Sequence, residues 1–338
     1  MQRTPQYRIV VMGTSRGGLE VLKAVLAALP ADFPAPVLVA MHVGAHESQL
    51  PDLLASACQL KVKYASDAQS IELGTVLVAP PDRHMLVDGD KIRLLTGAKQ
   101  NYSRPAIDPL FRSAAISHRE RVIGVVLTGD LDDGTVGLQS IKACGGLALV
   151  QDPGEAEAPS MPSSAITYVG VDACLPSSHI AQRLVALVQE QRTGTGSKPT
   201  RTMVVENDIS LGKIQDSMSS LDQVAPRSVI TCPECAGILW EMDSAPLRYR
   251  CHTGHTYSPL VMQSLQDRST EEVLWAALRM FYEKDVLMRR QSEVAAAGGR
   301  QDLAKEYGMA ADKARRDAHS LRQLLQAAVV PDIPRETD

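Results

Sequence analysis

The sequence lacks the marks of several large function classes. Thirty-five Lys and Arg stand against 39 Asp and Glu over 338 residues, a formal net charge of -4, so no overall basic footprint exists for nucleic-acid phosphates. No apolar stretch reaches the roughly 20 residues of a membrane-spanning helix, and the opening MQRTPQYRIVV has no apolar signal core. Cysteine is scarce at six, and Cys58, Cys144 and Cys174 stand alone in apolar settings that suit reduced, buried thiols. The expectation is a cytoplasmic protein without membrane insertion or nucleic-acid partner. The stretch GTSRGG (13–18) also lacks both G-x-G-x-x-G spacing and a G-K-[ST] ending, the glycine patterns tied to phosphate binding.

What is present is hydrophobic sequence, 44% of the chain, cut into short runs. RIVVMGT, PVLVAM and RVIGVVLTG are Val-, Ile- and Leu-rich and bounded by Gly or Pro, the pattern of parallel strands covered on both faces. They predict an α/β fold, a doubly wound and mostly parallel sheet. In such sheets ligands bind in the crevice outside the carboxyl ends of the strands. The three runs end at Ser15, at His42 and at an acidic cluster of Asp130, Asp132 and Asp133.

A serine hydroxyl needs an imidazole to take its proton, and the imidazole needs a carboxylate to hold its tautomer and stabilise its cation. Ser15 centres the G-x-S-x-G turn Gly13-Thr14-Ser15-Arg16-Gly17 before LEVLKAVLAAL, a strand-to-helix elbow whose first helical amides suit a developing oxyanion. His84 rivals His42 as base, but it lies in APPDRHMLVDGDKIRLL, where Asp88-Gly89 signals a hairpin. Asp108-Pro109 reads as a helix N-cap followed by proline at the first helical position.

The chain order Ser, His, Asp excludes the α/β-hydrolase order of Ser, acid, His. Six ordered motifs instead resemble the CheB-type catalytic domain of the chemotaxis protein-glutamate methylesterases: GTSRGG (13–18), MH (41–42), APPDRHM (79–85), RPAIDPLF (104–111), LTGDLDDG (127–134) and MPSSAI (161–166). The resemblance spans residues 7–187. It implies a triad of Ser15, His42 and Asp133, because Asp133 directly precedes Gly134 as the family's acid precedes a glycine. It further implies hydrolysis of glutamate methyl esters on the cytoplasmic helices of methyl-accepting chemoreceptors, glutamine deamidation as a second activity, and no cofactor for catalysis. Arg16 stands where the family usually has a small residue, and Asp130-Leu131 where it has Met-Gly. Arg16 and Arg104 are the candidate substrate contacts. The family's usual member carries an N-terminal receiver domain; since the catalytic motifs here start near residue 1, regulation is expected to come from the C-terminal module or a partner, or to be missing. A non-catalytic signalling scaffold and a hydrolase of another ester are the competing readings.

The composition changes after residue 190. The catalytic domain is expected over 1–189 and a linker over 190–228, since QEQRTGTGSKPTRT is polar and aperiodic, with partial helix around Ser210 to Leu221. A zinc-ribbon-like module is expected over 229–262. Cys232-Pro-Glu-Cys235 followed by Cys251-His252-Thr-Gly-His255 has the spacing of a structural zinc site, with Cys232, Cys235, Cys251 and His255 as ligands. His252 is left out because adjacent residues in an extended knuckle point to opposite sides. Loss of zinc is expected to unfold the ribbon without stopping small-ester hydrolysis. A helical hairpin over 268–330 is expected to open at the capping box Ser269-x-x-Glu272 and break at Gly298-Gly299. Its second helix would carry Leu303, Tyr307, Ala310, Ala314, Ala318, Leu321 and Leu325 on one stripe. Ribbon and hairpin are candidate docking modules for signalling proteins.

Overall fold

Strands with apolar side chains on both faces organise the first unit of the chain. The computed structural model describes residues 7–46, 48–190 and 196–327, so residues 1–6 of the expected catalytic domain, 191–195 of the expected linker and 328–330 of the expected hairpin lie outside the described residues. In chain order the first elements are β1 (Ile9–Thr14), α1 (Gly18–Ala27), β2 (Val37–Met41), α2 (Leu50–Ala55), β3 (Lys61–Tyr64), β4 (Thr75–Val78), β5 (His84–Asp88) and β6 (Lys91–Leu95). There follow α3 (Ile107–His118), β7 (Val122–Val126), α4 (Thr135–Ala143), β8 (Leu147–Gln151), α5 (Ser160–Tyr168), β9 (Ala173–Leu175) and α6 (Ser177–Gln189). Seven strands form one sheet in the order β3-β4-β2-β1-β7-β8-β9, and every neighbouring pair is parallel.

Ile9 and Val11 of β1 face one core with Leu110, Phe111, Leu138 and Ile141 from α3 and α4. Val10 and Met12 face the other with Leu22 and Leu26 from α1 and Leu184 from α6. Each such side chain contributes about 1.5–3 kcal/mol when taken fully out of water. Because β2 flanks β1 on one side and β7 on the other, the strand order reverses at β1, and the crevice of the fold opens beyond its carboxyl end. β5 and β6 pair antiparallel through Gly89 at φ 66, the hairpin signalled by Asp88-Gly89. Cys144 is buried, but Cys174 lies exposed on the edge strand β9, contrary to the expectation of a buried thiol.

The expected linker contains two helices, α7 (Arg201–Ser210) and α8 (Ser217–Asp222). Thr200 Oγ1 caps α7 by accepting from the Met203 amide at 3.3 Å, and Asp216 caps α8 through the Ser219 amide at 3.0 Å. The polar sequence hid α7 because its buried face includes Glu206 and Asn207 beside Met203, whereas α8 falls within the partial helix expected around Ser210 to Leu221. A four-stranded antiparallel ribbon follows, ordered β10 (Arg227–Thr231), β11 (Ile238–Ser244), β12 (Leu247–Cys251), β13 (Thr256–Tyr257).

The chain divides into two units, Met1–Val261 and Met262–Asp338, so the ribbon belongs with the catalytic sheet rather than standing as a separate domain. The second unit is a helical hairpin built from α9 (Pro259–Ala297) and α10 (Gln301–Ala327). Since α9 starts at Pro259, Ser269 and Glu272 sit inside a helix already under way. Ser258 serves its N-terminus instead, accepting from the Val261 amide at 3.3 Å with proline next in line. Gly299, at φ 73, turns the chain between the helices. The α10 seam is centred on Ala304, Ala311, Ala314 and Ala318, a heptad spacing; of the expected stripe only Ala314 and Ala318 are fully buried. Arg315 of α10 reaches Asp285 of α9 at 3.0 and 3.1 Å. No helix among the described residues is long and apolar enough to cross a membrane.

Candidate active site and metal centre

β1 delivers Ser15 into a tight turn at the reversal point. The Ser15 amide donates to the Thr128 carbonyl at 3.0 Å, and Gly18 closes the turn onto the Ser15 carbonyl at 3.0 Å. Gly13 and Gly17 are required here. A Cβ on Gly13 would meet Ile107 Cγ2 at 2.3 Å, and Gly17 combines φ 75 with the Glu157 side chain 2.7 Å from the place of a Cβ. The N-terminus of α1 has no side-chain cap, the condition in which helical amides serve an incoming anion. His42 is delivered by register: Thr14 is the partner of Met41, and the His42 amide donates to the Thr14 carbonyl at 3.1 Å. The two residues therefore leave adjacent strands together.

Asp133 completes the set from the loop after β7. Its Oδ2 lies 2.7 Å from His42 Nε2, with the two side chains 2% and 12% exposed. Two amides of α3 also hold it, Ile107 to Oδ2 at 2.7 Å and Asp108 to Oδ1 at 3.1 Å, and the Gly134 amide adds a bond of 2.9 Å to Oδ1. Burial alone would raise this carboxyl, but the His42 ring, the Ile107 amide and Asn101 hold it below the usual carboxylate range. An ionised Asp133 only accepts, so the proton sits on His42 Nε2 and Nδ1 keeps the lone pair a general base needs.

Asp108 was expected to cap its own helix and does not. Ala106 is the N-cap of α3, whereas Asp108 Oδ1 accepts from the Gly134 and Gly137 amides at 3.0 and 2.7 Å, at the start of α4. The two acids are thus exchanged between helices: Asp133, just before α4, binds the amides of α3, and Asp108 of α3 binds those of α4. Burial and the charge of Asp133 push Asp108 up. Asn101 lies between them, its Nδ2 donating to Asp108 Oδ2 and to Asp133 Oδ1, both at 3.0 Å. Sequence reasoning missed this residue; a polar turn before Arg104-Pro105 carries no signal that its amide reaches a catalytic carboxylate. The acid bonded to His42 is Asp133 rather than Asp132; burial pushes Asp132 up to about 6.

The remaining expected residues divide. Arg16 forms a two-bond pair with Asp130, 2.7 Å at each contact, so the two departures from the family motifs meet each other. Arg104 binds Asp82 Oδ1 through Nε and Nη2 at 2.8 and 2.6 Å and the Gly97 carbonyl at 2.6 Å, which commits its guanidinium to tying two loops. His84 is structural: its Nε2 donates to Ala98 O at 3.0 Å, its Nδ1 accepts from the Ala106 amide at 3.2 Å, and burial pushes it down to about 4.

Cys232, Cys235, Cys251 and His255 converge at the other end of the ribbon, their ligand atoms within 4.8 Å of one another. Cys235 and Cys251 sulfurs are 3.8 Å apart, and His255 Nδ1 lies 3.4 Å from Cys251 and 3.7 Å from Cys232. A tetrahedron with metal–sulfur bonds of about 2.3 Å has sulfur–sulfur edges of about 3.8 Å, so this donor set fits zinc. Ala236 at φ 55 and Gly254 at φ 110 make the two knuckle turns. Tyr257 hydroxyl contacts the Cys232 sulfur at 3.1 Å and donates to Glu234 at 2.7 Å, the outer support such sites require. His252 lies outside the cluster.

Comparison with known proteins places these observations in a family. A family model described as CheB methylesterase matches residues 10–184. The putative protein-glutamate methylesterase/protein-glutamine glutaminase of Leptospira interrogans is 41% identical over 191 residues, which is 99% of that protein and 55% of this chain. Protein-glutamate methylesterase/protein-glutamine glutaminase 2 of Anaeromyxobacter dehalogenans is 37% identical over 188 residues, and the chain spans about half its length, 55%. The crystal structure of the Thermotoga maritima CheB methylesterase catalytic domain superposes with a TM-score of 0.52 at 34% identity, over 54% of this chain and 100% of that domain. The family match ends before α7 and the ribbon.

Proposed function

Because the chain belongs to the CheB methylesterase family, we propose that its sheet domain hydrolyses glutamate methyl esters on the cytoplasmic helices of methyl-accepting chemoreceptors, and deamidates glutamine there as a second activity. The observation that carries this reading is the 2.7 Å bond from His42 Nε2 to Asp133, made where Ser15 and His42 leave neighbouring strands. Ser15 Oγ attacks the ester carbonyl as His42 Nδ1 takes its proton. The negative charge then on the carbonyl oxygen faces backbone amides at the start of α1. His42 returns the proton to the leaving oxygen, methanol departs, and a glutamyl ester of Ser15 remains. Water, deprotonated by His42, attacks that ester; glutamate leaves and Ser15 is restored. Asp133 holds the ring and balances the imidazolium charge in both halves. Every step is carried by side chains, backbone and water.

Arg16, the more exposed of the two arginines at 49% against 21% for Arg104, meets the acidic receptor helix and exchanges Asp130 for substrate carboxylates. Arg104 supports the loop from its pair with Asp82. Cys232, Cys235, Cys251 and His255 bind one structural zinc, which supplies folding energy to a ribbon with a small apolar core. The ribbon and hairpin dock signalling proteins. A scaffold without catalysis is disfavoured by the bonded His42–Asp133 pair beside the serine turn. Methanol release from a methylated receptor fragment, set against release from a small aliphatic methyl ester, tests the substrate assignment. The receptor ester is expected to turn over faster; equal or slower turnover on the receptor would overturn it in favour of a hydrolase for another ester.

A further inference from the structure

The ribbon touches the floor of the catalytic site at Asn101. The Asn101 amide donates to the Thr256 carbonyl of β13 at 2.9 Å, and Gln100 pairs with Thr256 as an isolated parallel bridge. Two residues on, Ser258 lines one small cavity together with Asn101, Asp108 and Asp132, the neighbour of the triad acid. The side chain of Asn101 meanwhile donates to Asp133 Oδ1. Asn101 sits at φ 49, a left-handed conformation that asparagine tolerates better than most residues. One residue thus carries a ribbon bond on its backbone and a triad bond on its side chain.

Buried charge holds the contact in place. Glu206 of α7 pairs with Arg248 of β12, at 2.8 Å through Nη2, and with Arg250 at 3.4 Å. Gln100 accepts from Arg112 of α3 at 3.1 Å and donates to Ser210 of α7 at 3.0 Å. Thr256 directly follows His255 in the chain, so the carbonyl that holds Asn101 is set by the knuckle that closes the cysteine cluster. The groups whose charge bears on Asp133 and its immediate surroundings are His42 after β2, His84 of β5, Asp108 and Arg112 of α3, Asp132 in its own loop and Arg248 of β12.

We propose that Asn101 is a positioning residue for Asp133, and that the metal-loaded ribbon locks Asn101 in its turn, so that catalysis by Ser15 and His42 depends on a metal bound outside the catalytic site. The inference rests on the triad and zinc assignments above, and it replaces the expectation that ribbon and triad are independent. Without the Asn101 amide, Asp133 Oδ1 keeps two donors instead of three. The carboxylate turns more freely and its charge is less satisfied, which favours the imidazolium over the neutral base. Turnover falls, and the acid limb of the rate profile moves to higher pH because the charge of Asp133 is less satisfied. Binding of a small ester is untouched.

The test uses the full chain and a small activated ester, with pH–rate profiles and metal content measured for wild type, Asn101→Gly, Asn101→Asp and chelator-stripped wild type. Glycine keeps the left-handed turn and removes only the amide; aspartate keeps shape and turn but faces two carboxylates without a donor. Asn101→Gly is expected to lose about tenfold in kcat with KM within about twofold, and Asn101→Asp about 100-fold. Stripped wild type should match Asn101→Gly in rate and in the shifted acid limb, and stripping Asn101→Gly should add little, since both remove the same support. Unchanged kcat and acid limb in both Asn101 variants overturn the positioning role. A wild type that runs at full rate without metal overturns the ribbon's part in it. In a Ser15→Ala control, retained turnover would overturn the triad reading and this inference with it, whereas lost turnover there beside an unaffected Asn101→Gly overturns this inference alone.

Discussion

The seven-stranded sheet and the four-stranded ribbon bury themselves by opposite means. The sheet lies between two apolar layers in which side chains such as Val11, Leu38, Val125 and Leu184 are fully buried. Around the ribbon, Trp240 and Met242 share a small cluster with Leu221, and beside the buried Leu239, Tyr249 and Tyr257 its interior holds the charges of Arg248, Arg250 and Glu206 and the cysteine cluster. Apolar burial is a sum of many contributions of about 1.5–3 kcal/mol each, so the sheet tolerates the loss of one. Charges and thiolates are stable inside only when every partner is present, so the ribbon answers a single loss as a whole. The triad draws on both regions: Ser15 and His42 stand on the sheet, and Asn101 braces Asp133 while its backbone rests on the ribbon.

The comparison is broken most sharply by removing the metal. Structural zinc contributes on the order of 10 kcal/mol to small modules, so Cys251→Ser is expected to abolish protection of ribbon amides in hydrogen exchange while those of β1 and β7 stay protected. Loss of protection in both regions would show the ribbon to be inseparable from the sheet. Next in size is the buried ion cluster. Glu206→Gln leaves Arg248 and Arg250 without their anion and is expected to destabilise by about 3–5 kcal/mol, against about 2–5 kcal/mol for Leu184→Ala of α6 in the layer over the sheet. Burial would raise Glu206, but Arg248 and Arg112 outweigh it and hold the carboxyl far below its ordinary value of 4.5. Its contribution is therefore present above pH 4.5 and lost as pH falls below it. Chemical denaturation across pH 3–7 should show that acid dependence in wild type and less of it in the glutamine variant.

Asp132 has the reverse sign. Its carboxyl is raised from 3.8 to about 6, so the folded protein prefers it protonated and loses stability as pH rises through that window. Asp132→Asn is expected to stabilise by about 3 kcal/mol above pH 6, with the gain vanishing near pH 4. Catalytic turnover should change little; a large loss would make Asp132 the triad acid. The smallest effect belongs to the exposed Arg16–Asp130 pair. Asp130→Asn releases Arg16 and is expected to lower KM for a receptor helix at low salt only, leaving the melting temperature unchanged.

The same contrast decided what the sequence disclosed. Apolar runs ending at Ser15, His42 and Asp133 made the parallel sheet legible, because strands buried on both faces leave an unbroken Val, Ile and Leu signature. The cysteine spacing marked the ribbon for the same reason that metal geometry allows few spacings. α7 went unread because it turns Glu206 inward, and charge carries no apolar period. Asp108 was assigned to the wrong helix, since a capping side chain advertises its type and not which helix end it reaches. Asn101 and Thr256 are 155 positions apart, and nothing local connects them. Arg16 and Asp130 were visible as separate oddities and only the fold made them a pair.

The central claim is that Ser15, based by His42 and Asp133, is the nucleophile of a receptor methylesterase. Its most direct test is kcat/KM for methanol release from a methylated chemoreceptor fragment by metal-loaded wild type and by Ser15→Ala, with equal circular dichroism required of both. A loss of about 10³-fold or more in the alanine variant is expected, as for other members of catalytic triads. Ser15→Ala retaining wild-type turnover on the same fragment would contradict the account.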